Sequence, residues 1–317
     1  MKTKDLVVIT QFKVKKAVTL ATVATEFLER PGLAPTTRET YSVTLSPLLC
    51  EYGSWAIEII SKQTIVEYLN SLSHLKYTTH HKHQAILQSL LNFAVEQGYI
   101  KFNPIRGLKQ RTCDREKGEH KSDDTIRYLT PSQLEILYKA VKSDLRLNAI
   151  VHILHRTGCR IGELLALSLA EVDIQNRKFQ VLGKGNKQRW CFYSEDAASA
   201  LLNYLNHSRH KTSEALFTAQ HPVTLKVSRL SYYTLHDYWQ EITNQYQELN
   251  GVRIHDLRHT FATERVGIIS IEQLRALMGH ESIQTTLRYS KVTSQKAEYS
   301  ARQAFDVLLN SNNSTLN

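Results

Sequence analysis

Between residues 20 and 108 apolar positions recur with a helical period, and the clearest run, residues 78–97, sets Leu87, Leu90, Leu91 and Ala94 on one face. The other side of that run carries His80, His81, Lys82, His83, Gln84 and Gln88. That strip reads either as a solvated helix face or as one that reaches phosphates and base edges in a DNA groove. Asn103-Pro104 closes the helical stretch, and the mostly charged residues 109–124 read as a linker. A second region opens at Thr130-Pro131-Ser132-Gln133, a capping box with proline at the first helical position. Further helices start near Leu147 and near Arg160, the latter after a break at Thr157-Gly158-Cys159. Residues 178–182 and 188–193 are β-rich and flank Gly183-Lys184-Gly185-Asn186, which predicts a hairpin. Beyond it the helical period returns, with a last apolar stripe at Ala301, Ala304, Phe305 and Leu308 before a polar tail. The pattern predicts a mainly α fold with a small antiparallel β-sheet. Its divisions are an N-terminal extension (1–19), a helical domain (20–110), a linker (111–125), a second domain (126–310) and a disordered tail (311–317).

Composition sharpens this picture. A hydrophobic content of 42% over 317 residues is enough for two cores, and only 12 Gly and 6 Pro argue against a fold built from many tight turns. Forty Lys and Arg against thirty Asp and Glu leave a net charge of +10, shared by both halves, so an anionic partner is expected and nucleic acid comes first. The four cysteines, Cys50, Cys113, Cys159 and Cys191, form no C-x-x-C, which suits a reducing cytoplasm. The apolar run at Leu6–Ile9 is too short for a signal peptide, and no stretch is apolar enough to span a membrane. Neither export nor a membrane partner is expected. Adjacent histidines at 80, 81 and 83 point to different sides of a helix, so a zinc site there is not expected either.

Four segments place basic or nucleophilic residues at structural joints: Thr157-Gly158-Cys159-Arg160-Ile161-Gly162-Glu163-Leu164, Gly183-Lys184-Gly185, His255-Asp256-Leu257-Arg258-His259, and Leu277-Met278-Gly279-His280 followed by Tyr289. In this order they resemble the tyrosine recombinase family, the integrases of phages and mobile elements and the Xer-type chromosome resolvases. The resemblance covers the second domain, and the helical first domain is similar to the family's core-binding domain.

The resemblance implies a site-specific DNA recombinase with catalytic residues Arg160, Lys184, His255, Arg258, His280 and Tyr289. Attack on a phosphodiester builds negative charge on its non-bridging oxygens, and the planar, permanently charged forks of Arg160 and Arg258 suit that charge. His280 adds a hydrogen bond, Tyr289 is the nucleophile, His255 its base, and Lys184 protonates the leaving 5′-oxygen. Glu163 orients the basic groups. A 3′-phosphotyrosine keeps the phosphodiester energy, so strands rejoin without ATP, and neither a metal nor another cofactor is implied. Lys187 and Arg189 are candidate DNA contacts alongside His80, His81, Lys82 and His83, and one of the two could share the role of Lys184. Family likeness further implies double-stranded DNA core sites as partner, a homotetramer on DNA, and a C-terminal helix (294–310) docking on a neighbouring protomer, or folding back in cis. Nothing long enough for an arm-binding domain precedes Leu20, which favours short core sites.

Other readings compete at this point. His255, Asp256 and His259 include an i, i+4 histidine pair of the kind metals use, but Arg258 between them would repel a cation. The same scaffold could also carry a catalytically silent DNA-binding protein, or a type IB topoisomerase acting without a particular site.

Overall fold

The computed structural model describes residues 17–114, 116, 118–119, 126–183 and 187–290. The chain divides into two compact units, Met1–Asp124 and Thr125–Asn317. It is mainly helical with small antiparallel sheets, the class its sequence predicts. Lys184, the 294–310 helix and the 311–317 tail lie outside the described residues, as does most of the N-terminal extension.

In the first unit α1 (Leu20–Glu29), α2 (Pro35–Tyr52), α3 (Lys62–Ser71) and α4 (Tyr77–Glu96) surround one core. Thr19 and Ser61 cap α1 and α3 by accepting backbone N–H bonds from Thr22 and Thr64. Phe27 of α1 stacks on Tyr41 of α2 at 5.5 Å and meets Phe93 of α4 edge-on at 5.6 Å, joining three helices at one point. Leu87, Leu90, Leu91 and Ala94 are buried, as their period predicts.

The polar strip of α4 is not a surface strip. His80, His83 and Gln84 are buried, His81 is half-buried, and only Lys82 among residues 80–84 is exposed. His80 Nε2 lies 3.0 Å from the Leu69 carbonyl, His81 Nε2 lies 2.7 Å from the Arg111 carbonyl, and Gln84 donates to the Leu108 carbonyl at 3.0 Å. These side chains tie α4 to α3 and to the chain that follows it. Arg111 and Glu119 of the charged stretch after residue 109 are folded back in the same way. Glu119 accepts from Tyr77 N at 2.9 Å and pairs with Arg111, so a carboxylate from outside α4 caps its positive end.

The second unit begins with α5 (Pro131–Val141), where Thr130 and Gln133 form the expected capping box, and α6 (Leu145–Thr157), capped by Asp144. Gly158 ends α6 in the left-handed region, with φ of 63°, and a Cβ there would fall 2.3 Å from Phe261 Cδ1. Only glycine satisfies both conditions, and the turn it allows delivers Arg160 to the start of α7 (Ile161–Ala166). Strands β1 (Val172–Asp173), β2 (Lys178–Leu182) and β3 (Gln188–Phe192) form an antiparallel sheet in that order, with Phe179 opposite Cys191 and Gln180 opposite Trp190. The predicted hairpin is β2–β3.

After α8 (Glu195–His207) comes a second hairpin, β4 (Thr218–Gln220) with β5 (Val227–Arg229), absent from the sequence reading because three-residue strands carry too little alternation to register. The remaining helices are α9 (Tyr232–Thr243), α10 (Asp256–Arg265), α11 (Ile271–Met278) and α12 (Ile283–Ser290). The α6 helix packs on α8 and on α10, and α10 also contacts α11 and α12. Gly279 ends α11 with φ of 64° and turns the chain into His280 and α12.

Candidate active site

Arg258 and Tyr289 are the most deeply set of the expected residues that the structure describes. Arg258 holds the site's backbone together. Its side chain is buried on α10 and donates to the Gly158 carbonyl at the end of α6 and, at 2.6 Å, to the Met278 carbonyl at the end of α11. Burial and the neighbouring Arg160 and Arg189 charges lower its pKa to about 10, which still leaves it charged at neutral pH. Further along α10, His155 of α6 sits 3.0 Å from both oxygens of Glu264, a further tie between these two helices.

Arg160 precedes α7 and is 38% exposed, so its guanidinium faces solvent while remaining held. It donates to Glu163 Oε1 at 2.9 Å and to the Gly279 carbonyl at 3.3 Å. At the start of α7, Glu163 Oε2 accepts the Arg160 backbone N–H at 2.8 Å. Burial would raise the Glu163 pKa, but hydrogen bonds from Arg189 and Arg160 hold it at about 2.

Arg189 turns inward. It forms a double hydrogen bond with Glu163, at 2.9 and 2.6 Å, and donates to the Leu277 carbonyl at 3.1 Å. A Cβ on Gly279 would meet Arg189 Cδ at 2.9 Å, so the two segments approach as closely as glycine permits. The sequence reading has Arg189 as a DNA contact, whereas its side chain is spent on bracing Arg160 through Glu163. Strand parity carries the signal for this, since residue 189 shares a face with buried Cys191. Lys187, in contrast, is exposed and lines a cleft of ≈ 500 Å³ together with Arg160, Arg189, Arg275 and His280.

Tyr289 is buried on α12. Its ring lies parallel to that of His280, 6.2 Å between centroids, and its hydroxyl is 2.9 Å from His259 Nδ1. Burial raises the phenol pKa, while Arg258, Arg288 and Arg160 pull it down. Thr286, one turn before Tyr289, places its hydroxyl 2.9 Å from His280 Nδ1. Burial and three arginines lower the His280 pKa to about 3, so the ring is neutral at physiological pH. His255 is exposed and meets His259 edge-on at 4.7 Å. The fold thus gathers Arg160, Glu163, Arg258, His280 and Tyr289 around the ends of α6 and α11, with His255 one ring removed from the tyrosine. The residue that sequence reasoning did not assign to this site is His259; 30 positions separate it from Tyr289, and only the packing of α10 on α12 brings them together.

Among the described residues no group of three His, Cys, Asp or Glu side chains could hold a metal, and the Asp256 carboxylate accepts from Arg253 at 2.7 Å. No described helix is long and apolar enough to cross a membrane.

Residues 127–296 match the phage integrase family, more than half of the chain. The chain belongs to the phage integrase family of tyrosine recombinases. Relatives include the tyrosine recombinase XerC of Pediococcus pentosaceus, 28% identical over 249 residues, with 73% of this chain and 77% of that one covered. The XerC of Herpetosiphon aurantiacus is 28% identical over 256 residues, covering 77% and 79%. Among solved structures, the Tn1549 transposon integrase in complex with circular intermediate DNA aligns with a TM-score of 0.69 at 18% identity over 90% of this chain and 99% of that one. A lambda integrase dimer bound to a COC′ core site aligns at 0.66 and 17% identity, covering 88% and 97%. At these identities the likeness is one of fold, and it extends across both units of this family member.

Proposed function

We propose that this protein is a site-specific DNA recombinase that cleaves and rejoins DNA strands through a 3′-phosphotyrosine at Tyr289. The observation that carries the reading is the setting of Tyr289, a buried phenol parallel to His280 and within the field of Arg258 and Arg160. A phosphate bound to Arg160 and Arg258 would have its non-bridging oxygens met by two guanidiniums, each donor contributing about 3–4 kcal/mol to the transition state. His280, neutral and engaged at Nδ1 by Thr286, has Nε2–H to give the same oxygens. Lys184, between β2 and β3 in sequence, is the acid for the 5′-oxygen, His255 belongs to the proton-accepting side, and Glu163 with Arg189 orients Arg160. DNA contacts are supplied by Lys187 and Lys82, both exposed.

Double-stranded core sites complete the proposal, in keeping with the DNA-bound recombinases of similar fold. A homotetramer on DNA and docking of residues 294–310 on a neighbour are part of the same proposal and rest on the family resemblance of the sequence alone. The decisive test is a suicide DNA duplex that traps the covalent intermediate. An SDS-stable adduct that disappears in Tyr289→Phe is the expected result. Tight, site-selective DNA binding without any adduct would mean a silent binding protein, and relaxation of supercoils without site preference would mean a topoisomerase.

A further inference from the structure

We infer that His259, rather than His255, is the group that takes the phenolic proton of Tyr289 during attack on DNA. The inference rests on the strand-cleavage reading above and deepens it by naming where that proton goes.

The geometry singles out one nitrogen. His259 Nδ1 is 2.9 Å from Tyr289 Oη, within ordinary hydrogen-bond reach for a base and its substrate proton. Both side chains are at least half-buried, and their rings sit 5.8 Å apart between centroids. His255, the residue that precedes α10, meets the His259 ring edge-on at 4.7 Å and is exposed to solvent. It is the outer ring of a pair whose inner ring holds the nucleophile.

For Nδ1 to accept, the imidazole must be neutral with its hydrogen on Nε2. The groups facing His259 are Asp256 and Arg258 from its own helix, Arg253 and His255 from the residues just before it, Tyr289 from α12, and His280 from the turn between α11 and α12. Burial, followed by the positive members of this group, lowers the His259 pKa to about 4, against which Asp256 acts. The ring is therefore uncharged and ready to accept at neutral pH. A phosphate docked on Arg160 and Arg258 adds negative charge to the same cluster and offsets those cations, so the ring becomes a stronger base only once substrate is present. In the chemical step the Oη–P bond forms and the P–O5′ bond breaks. The Oη proton passes to His259 Nδ1, and O5′ leaves with a proton from Lys184, the acid of the proposed function.

Single-turnover cleavage of the suicide duplex separates the outcomes. His259→Asn keeps an amide near the Nδ1 position but cannot hold the proton. It is expected to slow adduct formation about 100-fold at neutral pH, with the deficit shrinking about tenfold per pH unit as solvent base takes over. His255→Asn is expected to lose less. A His259→Asn rate within about threefold of the parent, or a larger loss in His255→Asn, overturns the inference. Nitrogen-15 histidine spectra of the unsubstituted protein give a readout independent of activity and of variant folding. Hydrogen on Nε2 with Nδ1 as acceptor supports the assignment, and hydrogen on Nδ1 overturns it. Absence of any adduct in the unsubstituted protein would overturn strand cleavage and this inference together, whereas an adduct indifferent to position 259 overturns this inference alone.

Discussion

Histidines cluster twice in this chain, at 80, 81 and 83 on α4 and at 255, 259 and 280 around α10, and the two clusters do opposite things. On α4, His80 and His81 reach backbone carbonyls of Leu69 in α3 and of Arg111, so imidazole serves as a tie from one helix to its neighbour and to the chain that follows. Around α10 the partners are reactive or polar side chains, the hydroxyl of Tyr289 for His259 and that of Thr286 for His280, with arginine charges on every side. Residue type alone does not separate scaffolding from chemistry. What separates them is whether the partner is a carbonyl, which only needs satisfying, or a group that can change its protonation or bonding state.

The largest effect expected is at Arg258. Arg258→Ala should slow adduct formation about 100- to 1,000-fold in single turnover. It should also destabilise the fold by about 1–3 kcal/mol for each orphaned carbonyl, read in urea melts. Unchanged stability would mean that Arg258 is a substrate ligand alone. Glu163 comes next. Its pKa is about 2 against a usual 4.5, so its share of stability is fully present above about pH 4.5 and is lost as the pH falls toward 2. By linkage that share is about 3 kcal/mol, and Glu163→Gln should lower stability at pH 7 by a similar amount while flattening the acid limb of the pH–stability curve.

On the scaffolding side, His80→Ala should cost about 1–3 kcal/mol in denaturant melts, with DNA affinity of the folded fraction unchanged. A loss of DNA binding without loss of stability would erase the contrast between the clusters. Lys82→Ala, two residues along the helix and exposed, should leave stability alone and reduce the slope of log affinity against log salt by about one. The smallest effect expected is none: adduct formation in EDTA should match that in Mg²⁺, and a strict metal requirement would contradict a transition state held by the side chains of Arg160, Arg258 and His280.

Much of the framework was legible from local chemistry. The Thr130–Gln133 box, the pairing of β2 with β3, and the glycine breaks at 158 and 279 each act through neighbours close in sequence. The order of the basic segments located Arg160, Arg258, His280 and Tyr289. What stayed hidden depends on contacts across tens of residues. Burial of His83 and His80, the cap that Glu119 places on α4, and the His259–Tyr289 contact all arise when separate elements pack, and a helical period cannot encode the partner's identity. Arg189 lies between these cases, since strand alternation gives its face and only the tertiary fold supplies Glu163.

The two carbonyls gripped by Arg258 have a consequence for the safety of the cell that makes this protein. Gly158 and Met278 sit 120 residues apart in sequence, and the guanidinium that joins them is the same one proposed to hold the scissile phosphate. An immature or half-unravelled copy therefore carries its tyrosine without the cationic seat that arms it. Under the proposed chemistry, quality control of the fold and restraint of the cutting reaction are one and the same bond network, and damaged molecules fall silent rather than nicking genomes at random.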